Sequence, residues 1–256
     1  MSSLKPAWLC RRPIAHRGLH CAAKGLIENS IAAAHAAIVS NYAIECDVQQ
    51  SKDNQYVVFH DDRFERLTEQ TGRLCDLNLD DICQISLGKT SEKIPSLQRF
   101  LTAVNSQTPL FVELKSRFDG DTKPAKDIAE ILKSYPGPIA IESFDPILIG
   151  YLRRNQHAFD ISHILLGIVA QGLYDKAEWP QIPEELKTSM THFLHYRDTL
   201  PDFISWRAND FPHAIPNLLR ETTQCPITTW TVRTYEEQIK VKPWANQIVF
   251  EDFLPN

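Results

Sequence analysis

Two acids separated by one residue, Glu45 and Asp47, sit inside an apolar run spanning 42–48. If that run is a strand, residues two apart share a face and both carboxylates point the same way. Two buried carboxylates side by side repel each other and are costly to desolvate. A hard cation removes that cost, and both Mg2+ and Ca2+ prefer carboxylate oxygen. Glu113, near the end of the apolar run 110–114, is the candidate third ligand. His16 and His60 close two further runs, 13–16 and 56–59. Two imidazoles with an ordinary pKa of ~6.5 can serve as one base and one acid near neutrality. Arg17 follows His16, and Lys115 lies two residues beyond Glu113. An oxygen-ligated cation with an arginine and a lysine is suited to a phosphate group. Gly18, directly after Arg17, would let backbone approach a ligand closely. Simpler readings exist for each piece. An isolated Glu-x-Asp is more often solvated or ion-paired, and Lys115 could be a salt-bridge partner of Glu113 or Glu45.

These residues need a scaffold that brings strand ends together. Eight apolar, β-branched runs are strand candidates: 13–16, 42–48, 110–114, 139–144, 163–169, 202–206, 227–232 and 247–250, with 56–59 as a short extra. Helical patterns lie between them. Ile31, Ala34, His35 and Ile38 share a face at the 3.6 period, as do Leu97, Phe100, Leu101 and Val104 behind Ser96, and Ala125, Ile128, Ala129 and Leu132. Asp145-Pro146 reads as a cap followed by proline at the first helical position, ahead of Leu148, Tyr151 and Leu152. Thr234 with Glu237 fits a capping box, and a weaker helix is expected near 212–221. Eight strand-then-helix units predict an α/β fold of the TIM (β/α)8 type, whose chemistry sits at the C-terminal ends of the strands. A doubly wound open sheet is the alternative. Residues 49–95 are too many for an ordinary loop, so a short hairpin and a small inserted subdomain are expected there, within one domain over 1–256.

The composition fits this picture. Of 256 residues, 43% are hydrophobic and 23% charged, enough for a large core without disulfides or a structural metal. Twenty-seven Lys and Arg against 32 Asp and Glu give −5, which rules against a general nucleic-acid binder and leaves room for an anionic small molecule in a locally basic pocket. The six cysteines show no CxxC pair and read as reduced thiols of a cytoplasmic protein. Residues 1–12 carry no apolar leader, and no run reaches the ~18 apolar residues of a membrane span. The nine glycines end at Gly172, so turns in the last third must be built otherwise. His157, His163, His192, His195 and His213 read as surface or packing residues. Nothing local speaks to oligomeric state.

In order along the chain, His16-Arg17-Gly18, Glu28-Asn29-Ser30, Glu45-Cys46-Asp47, His60-Asp61, Glu113-Leu114-Lys115 and Trp230-Thr231-Val232 resemble the glycerophosphodiester phosphodiesterase family. Ile94-Pro95-Ser96-Leu97 and Ser143-Phe144 also match, so the resemblance covers about 13–232. It implies a TIM barrel whose insertion after the second strand carries the second histidine. It implies one divalent cation, Mg2+ or Ca2+, on Glu45, Asp47 and Glu113, and His16 and His60 as the acid–base pair. Arg17 and Lys115 resemble phosphate contacts, Glu28 and Asn29 a motif beside the site, and Trp230 an aromatic residue near the substrate. The implied reaction is hydrolysis of a small-molecule glycerophosphodiester to glycerol 3-phosphate and an alcohol. Departures are Ser30 in place of the family's threonine, Arg233 in place of asparagine, the ending Phe250-Glu251-Asp252-Phe253, and a poor match over 172–225. The same barrel would also suit phospholipase D-like action on lysophospholipids, a sugar phosphodiesterase, or a non-catalytic barrel holding a phosphorylated ligand. An amidohydrolase-type metal site is disfavoured because strand one lacks the His-x-His pair.

Overall fold

The computed structural model describes residues 6–255; residues 1–5, part of the stretch 1–12 read as carrying no apolar leader, and Asn256 lie outside the described residues. Strands run over Ile14–Ala15 (β1), Ala43–Gln50 (β2), Tyr56–Val58 (β3), Leu110–Leu114 (β4), Ile139–Ser143 (β5), Leu165–Ala170 (β6), Phe203–Arg207 (β7), Ile227–Val232 (β8) and Gln247–Phe250 (β9). Helices run over Ile31–Val39 (α1), Leu79–Ile82 (α2), Leu97–Val104 (α3), Lys123–Leu132 (α4), Pro146–Asn155 (α5), Glu184–Thr191 (α6), Tyr196–Thr199 (α7), Ala214–Thr223 (α8) and Tyr235–Val241 (α9). Among the described residues the strand order is β1-β9-β8-β7-β6-β5-β4-β2-β3, and β1 also pairs with β2. That last pairing closes eight strands into a parallel (β/α)8 barrel. β3 is the extra strand, antiparallel to β2, with Val48 opposite Val58. The closed circuit excludes the open doubly wound sheet. Burial explains why the strands are nearly unbroken apolar runs: every residue of β4, β5 and β6 is buried, as a parallel sheet covered by helices requires. No helix among the described residues is long and apolar enough to cross a membrane.

The chain forms two compact units. One contains Ile14–Lys115 and Tyr135–Ile139. In it the Ser96 side chain accepts from the Arg99 amide, and Leu97, Phe100, Leu101 and Val104 are all buried, as their spacing predicts. α1 differs from expectation. Its buried face is Ala33, Ala34 and Ala37, while His35 is exposed. With every other position of this helix apolar, the hydrophobic period does not single out a face. Small alanines then decide it by letting backbone approach. Gly18 is where this happens. Its φ is +78°, and a Cβ there would meet the Ala33 carbonyl carbon at 2.9 Å. The close approach expected of Gly18 is therefore made to α1. After β3, the inserted segment has a core of its own, in which Val57, Phe59, Phe64, Leu74, Ile82, Leu87 and Ile94 are buried together.

The other unit holds the described residues up to Pro13, Ser116–Ser134 and the chain from Ala140 onward. The α4 stripe of Ala125, Ile128, Ala129 and Leu132 is buried. Asp145 caps α5 through the Ile147 amide. Expected strand bounds shift by one or two residues where polar groups intervene. Asp202, for example, stays outside β7, because its carboxylate accepts from the Leu166 amide at 2.9 Å and Arg153 at 2.8 Å. Thr234 caps α9, but the Glu237 carboxylate turns to the Arg233 amide at 2.6 Å, so the box is only half made. Arg233 and Glu251, both departures from the family pattern, pair with each other at 2.7 Å.

Phe64 is fully buried, its ring 5.9 Å from that of Phe59, so Phe64→Ala should cost about 3–5 kcal/mol. Urea unfolding with intact secondary structure at zero denaturant checks this; a loss below about 1 kcal/mol would show that the insert does not fold as part of this unit.

Candidate active site

The strand register creates the site. Asp47 and Glu113 are direct partners across β2 and β4, and Glu45 lies two residues before Asp47 on the same face. Like charges directly opposite each other are destabilising, and here they are buried: Glu45 and Asp47 are 3% and 1% exposed. One carboxylate oxygen from each of Glu45, Asp47 and Glu113 lies within 4.8 Å of the others. Such an all-oxygen, all-carboxylate set is what a hard divalent cation binds, so these residues fit the group expected from the sequence. Cys46, between the two acids, is fully buried.

Two cations hold the acids together. Lys115 Nζ bridges Asp47 Oδ1 at 2.8 Å and Glu113 Oε1 at 2.7 Å. Arg17 lies in left-handed backbone, φ 56°, where its amide donates to Glu45 Oε2 at 3.0 Å. Its Nε is 3.2 Å from Asp47 Oδ2. Burial alone would raise the Asp47 carboxyl, but Lys115, His60 and Arg17 outweigh it and hold Asp47 well below the usual carboxylate range. Burial likewise pulls against the Lys115 charge, yet Asp47 and Glu113 raise its pKa above the ordinary lysine value. Asn29 completes the clamp: its Nδ2 donates to Asp47 Oδ2 at 2.8 Å, and its Oδ1 accepts the Asp47 amide at 3.2 Å. Its own φ of 58° is a left-handed conformation that asparagine tolerates.

The histidines stand beside this cluster. His16 Nε2 is 4.0 Å from Glu45 Oε2. His60 Nδ1 is 2.6 Å from Asp61 Oδ1. The backbone carrying His60 is fixed by Gln49, whose Nε2 faces the carbonyls of Phe59, His60 and Asp61 at 3.1, 2.8 and 2.6 Å. The Phe59 amide also donates to the Asp47 carbonyl at 3.0 Å. Glu28 accepts from Arg17 Nη1 at 2.7 Å, and Arg66 of the insert binds both Glu28 and Asp61. Histidines aside, this connected set holds five carboxylates (Glu28, Glu45, Asp47, Asp61, Glu113) against three permanent cations (Arg17, Arg66, Lys115). In these contacts carboxylates outnumber permanent cations, an excess of the sign that a divalent cation offsets.

His16, Arg17, Glu28, Asn29, Glu45, Asp47, His60, Glu113 and Lys115 all fall within the unit that contains Ile14–Lys115. Trp230 belongs to the other unit. There its Nε1 donates to the Ser205 carbonyl at 2.9 Å and its ring stands edge-on to Phe144 at 5.4 Å. Three residues escape the sequence reading. Gln49 was within reach of it, since it continues the alternation of Glu45 and Asp47. Asp61 was visible only as the neighbour of His60. Arg66 gives no local signal, because its partner Glu28 is 38 residues away.

The glycerophosphoryl diester phosphodiesterase family matches residues 16–255. The chain belongs to this family. It is a phosphoric diester hydrolase. It is 29% identical over 254 residues to YhdW of Bacillus subtilis, named as a candidate glycerophosphodiester phosphodiesterase, covering 94% of this chain and 93% of that protein. It is 25% identical to glycerophosphodiester phosphodiesterase 1 of Bos taurus, covering 88% of this chain and 72% of the relative. Among solved structures, it resembles an Oleispira antarctica phosphodiesterase in complex with the product sn-glycerol-3-phosphate. The TM-score is 0.74 at 20% identity, covering 95% of this chain and 94% of the other. The glycerophosphodiester phosphodiesterase of Thermotoga maritima gives a TM-score of 0.68 at 20% identity, covering 93% and 92%.

The paired carboxylates also set an acid limit. Burial, the largest influence, raises Asp61, but bonds with His60 and Arg66 hold it below its ordinary value. A carboxyl lowered on folding stabilises the protein above its unfolded pKa, about 4, and that contribution is lost as pH falls through the folded value. Stability should therefore decline as pH falls below about 5, and Asp61→Asn should flatten part of that decline. Denaturant midpoints across this window give the comparison; parallel curves for the two proteins would mean that the pair contributes nothing.

Proposed function

We propose that this family member hydrolyses glycerophosphodiesters to glycerol 3-phosphate and an alcohol, using one divalent cation, Mg2+ or Ca2+, and two histidines. The convergence of three buried carboxylates at a strand register position, with His16 4.0 Å from one of them, carries this reading. Glu45, Asp47 and Glu113 would hold the cation. When bound, the cation supplies Lewis-acid stabilisation of charge on the phosphate oxygens. Arg17 and Lys115 add fixed positive charge facing the phosphate. An ionised carboxylate can only accept a hydrogen bond, so His60 donates its Nδ1–H to Asp61. Nε2 of His60 is then the nitrogen that exchanges a proton with substrate. One imidazole takes the proton from the attacking oxygen, and the other returns one to the departing alkoxide. Glu28 and Asn29 act by holding Arg17 and Asp47. On this reading residues 1–256 act as a single domain, with the insert at about 49–95 as part of the site.

Incubation with glycerophosphocholine or glycerophosphoethanolamine should release glycerol 3-phosphate, stop with chelator and resume with Mg2+ or Ca2+. His16→Ala and His60→Ala should each lower kcat by roughly 10²- to 10⁴-fold with unchanged circular dichroism. Near-full turnover in either variant contradicts the two-histidine assignment.

A further inference from the structure

Arg66 makes more charged contacts than any one of them alone would explain. Its Nε donates to Asp61 Oδ2 at 2.6 Å and its Nη2 to Asp61 Oδ1 at 2.9 Å. Its Nη2 also donates to Glu28 Oε1 at 2.8 Å, and its Nη1 to Glu28 Oε2 at 2.7 Å. A guanidinium has five N–H donors, and four are committed to these two carboxylates. Each pairing is two-pronged, the geometry in which arginine is strongest and lysine cannot substitute. Little donor capacity is left for a substrate phosphate.

Each carboxylate leads onward. Asp61 Oδ1 meets His60 Nδ1 at 2.6 Å, and Glu28 Oε1 meets Arg17 Nη1 at 2.7 Å. We propose that Arg66 is a positioning residue that locks the His60 imidazole and the Arg17 guanidinium into one arrangement through Asp61 and Glu28. By fixing the Asp61 carboxylate it holds His60 with Nδ1–H donated and Nε2 presented. By fixing Glu28 it sets the orientation of Arg17 over Asp47. The inference rests on the reading of His60 as an acid–base group. The fold does not depend on Arg66. Its side chain is 47% exposed, and Gln49 holds the backbone of Phe59, His60 and Asp61 independently. Loss of Arg66 should therefore loosen side-chain orientation and leave the loop in place.

The test uses the full chain, with Arg66→Ala and Arg66→Lys compared with wild type by steady-state kinetics on glycerophosphocholine and by nitrogen NMR of the His60 ring. In Arg66→Ala, kcat should fall roughly 10- to 100-fold, the cost of an ångström-scale misplacement. KM should change by a smaller factor than kcat, because Arg17, which faces the phosphate, loses only the orientation it takes from Glu28 and keeps its contact with Asp47. Arg66→Lys should recover only part of the loss, and millimolar guanidinium should restore part of the activity of Arg66→Ala. The His60 signals should change from a Nδ1-protonated ring in wild type to a mixture of tautomers in Arg66→Ala. An unchanged kcat, a loss carried by KM, full recovery in Arg66→Lys, or unaltered His60 signals would overturn the proposal. If wild type hydrolyses no glycerophosphodiester, the functional reading fails. The His60 spectra still decide whether Arg66 positions that ring.

Discussion

Burying Glu45, Asp47 and Glu113 together is the constraint on which the rest of this site depends. The parallel register of β2 and β4 puts Asp47 directly opposite Glu113, and desolvation makes that pairing unfavourable unless positive charge is brought in. The protein brings it from two directions: from the loop after β1, in Arg17, and from just beyond β4, in Lys115. The left-handed backbone at Arg17 and Asn29 is the local cost of turning these short segments back onto the strand ends, and such strain is maintained only where the surroundings fix it. Three carboxylate oxygens within 4.8 Å of one another make a set that could hold a divalent cation.

A second layer connects this arrangement to His60. Gln49 extends the inward face of β2 by one more alternate position and pins the His60 backbone. Glu28 and Asp61, joined by Arg66, tie the loop after β1 to the insert. The insert supplies a histidine to a barrel, so it needs a rigid base, and the separate core around Phe59 and Phe64 provides one. The carboxylate cluster and His60 are thus coupled by charged side chains with two-pronged contacts and by the pairing of β2 with β3.

Much of this was legible in the sequence because period-two alternation and helix caps act locally. Glu45 and Asp47 had to share a face if 42–48 was a strand, and the Ser96 and Asp145 caps followed from residue type. What was illegible depends on distant partners. Arg66 has no pattern of its own until folding brings Glu28 to it. From its neighbours in sequence Gly18 reads as a ligand contact, yet Ala33 of α1 occupies the space beside it. His35 falls on an apparent inward stripe only because nearly every other position of α1 is apolar. α6 buries only Lys187 and Met190 and so shows no apolar stripe, and α7 is a single turn, too short for a period to show.

The central claim is that the buried carboxylates form one divalent-cation site. Calorimetric titration of Mg2+ and Ca2+ into the chelator-treated full chain tests it directly. The account predicts saturable binding of one cation per chain, weakened by roughly tenfold or more in both Asp47→Asn and Glu113→Gln, because each removes one carboxylate charge from the ligand set. Absence of saturable binding by either ion, or equal affinity in wild type and both folded variants, would contradict it.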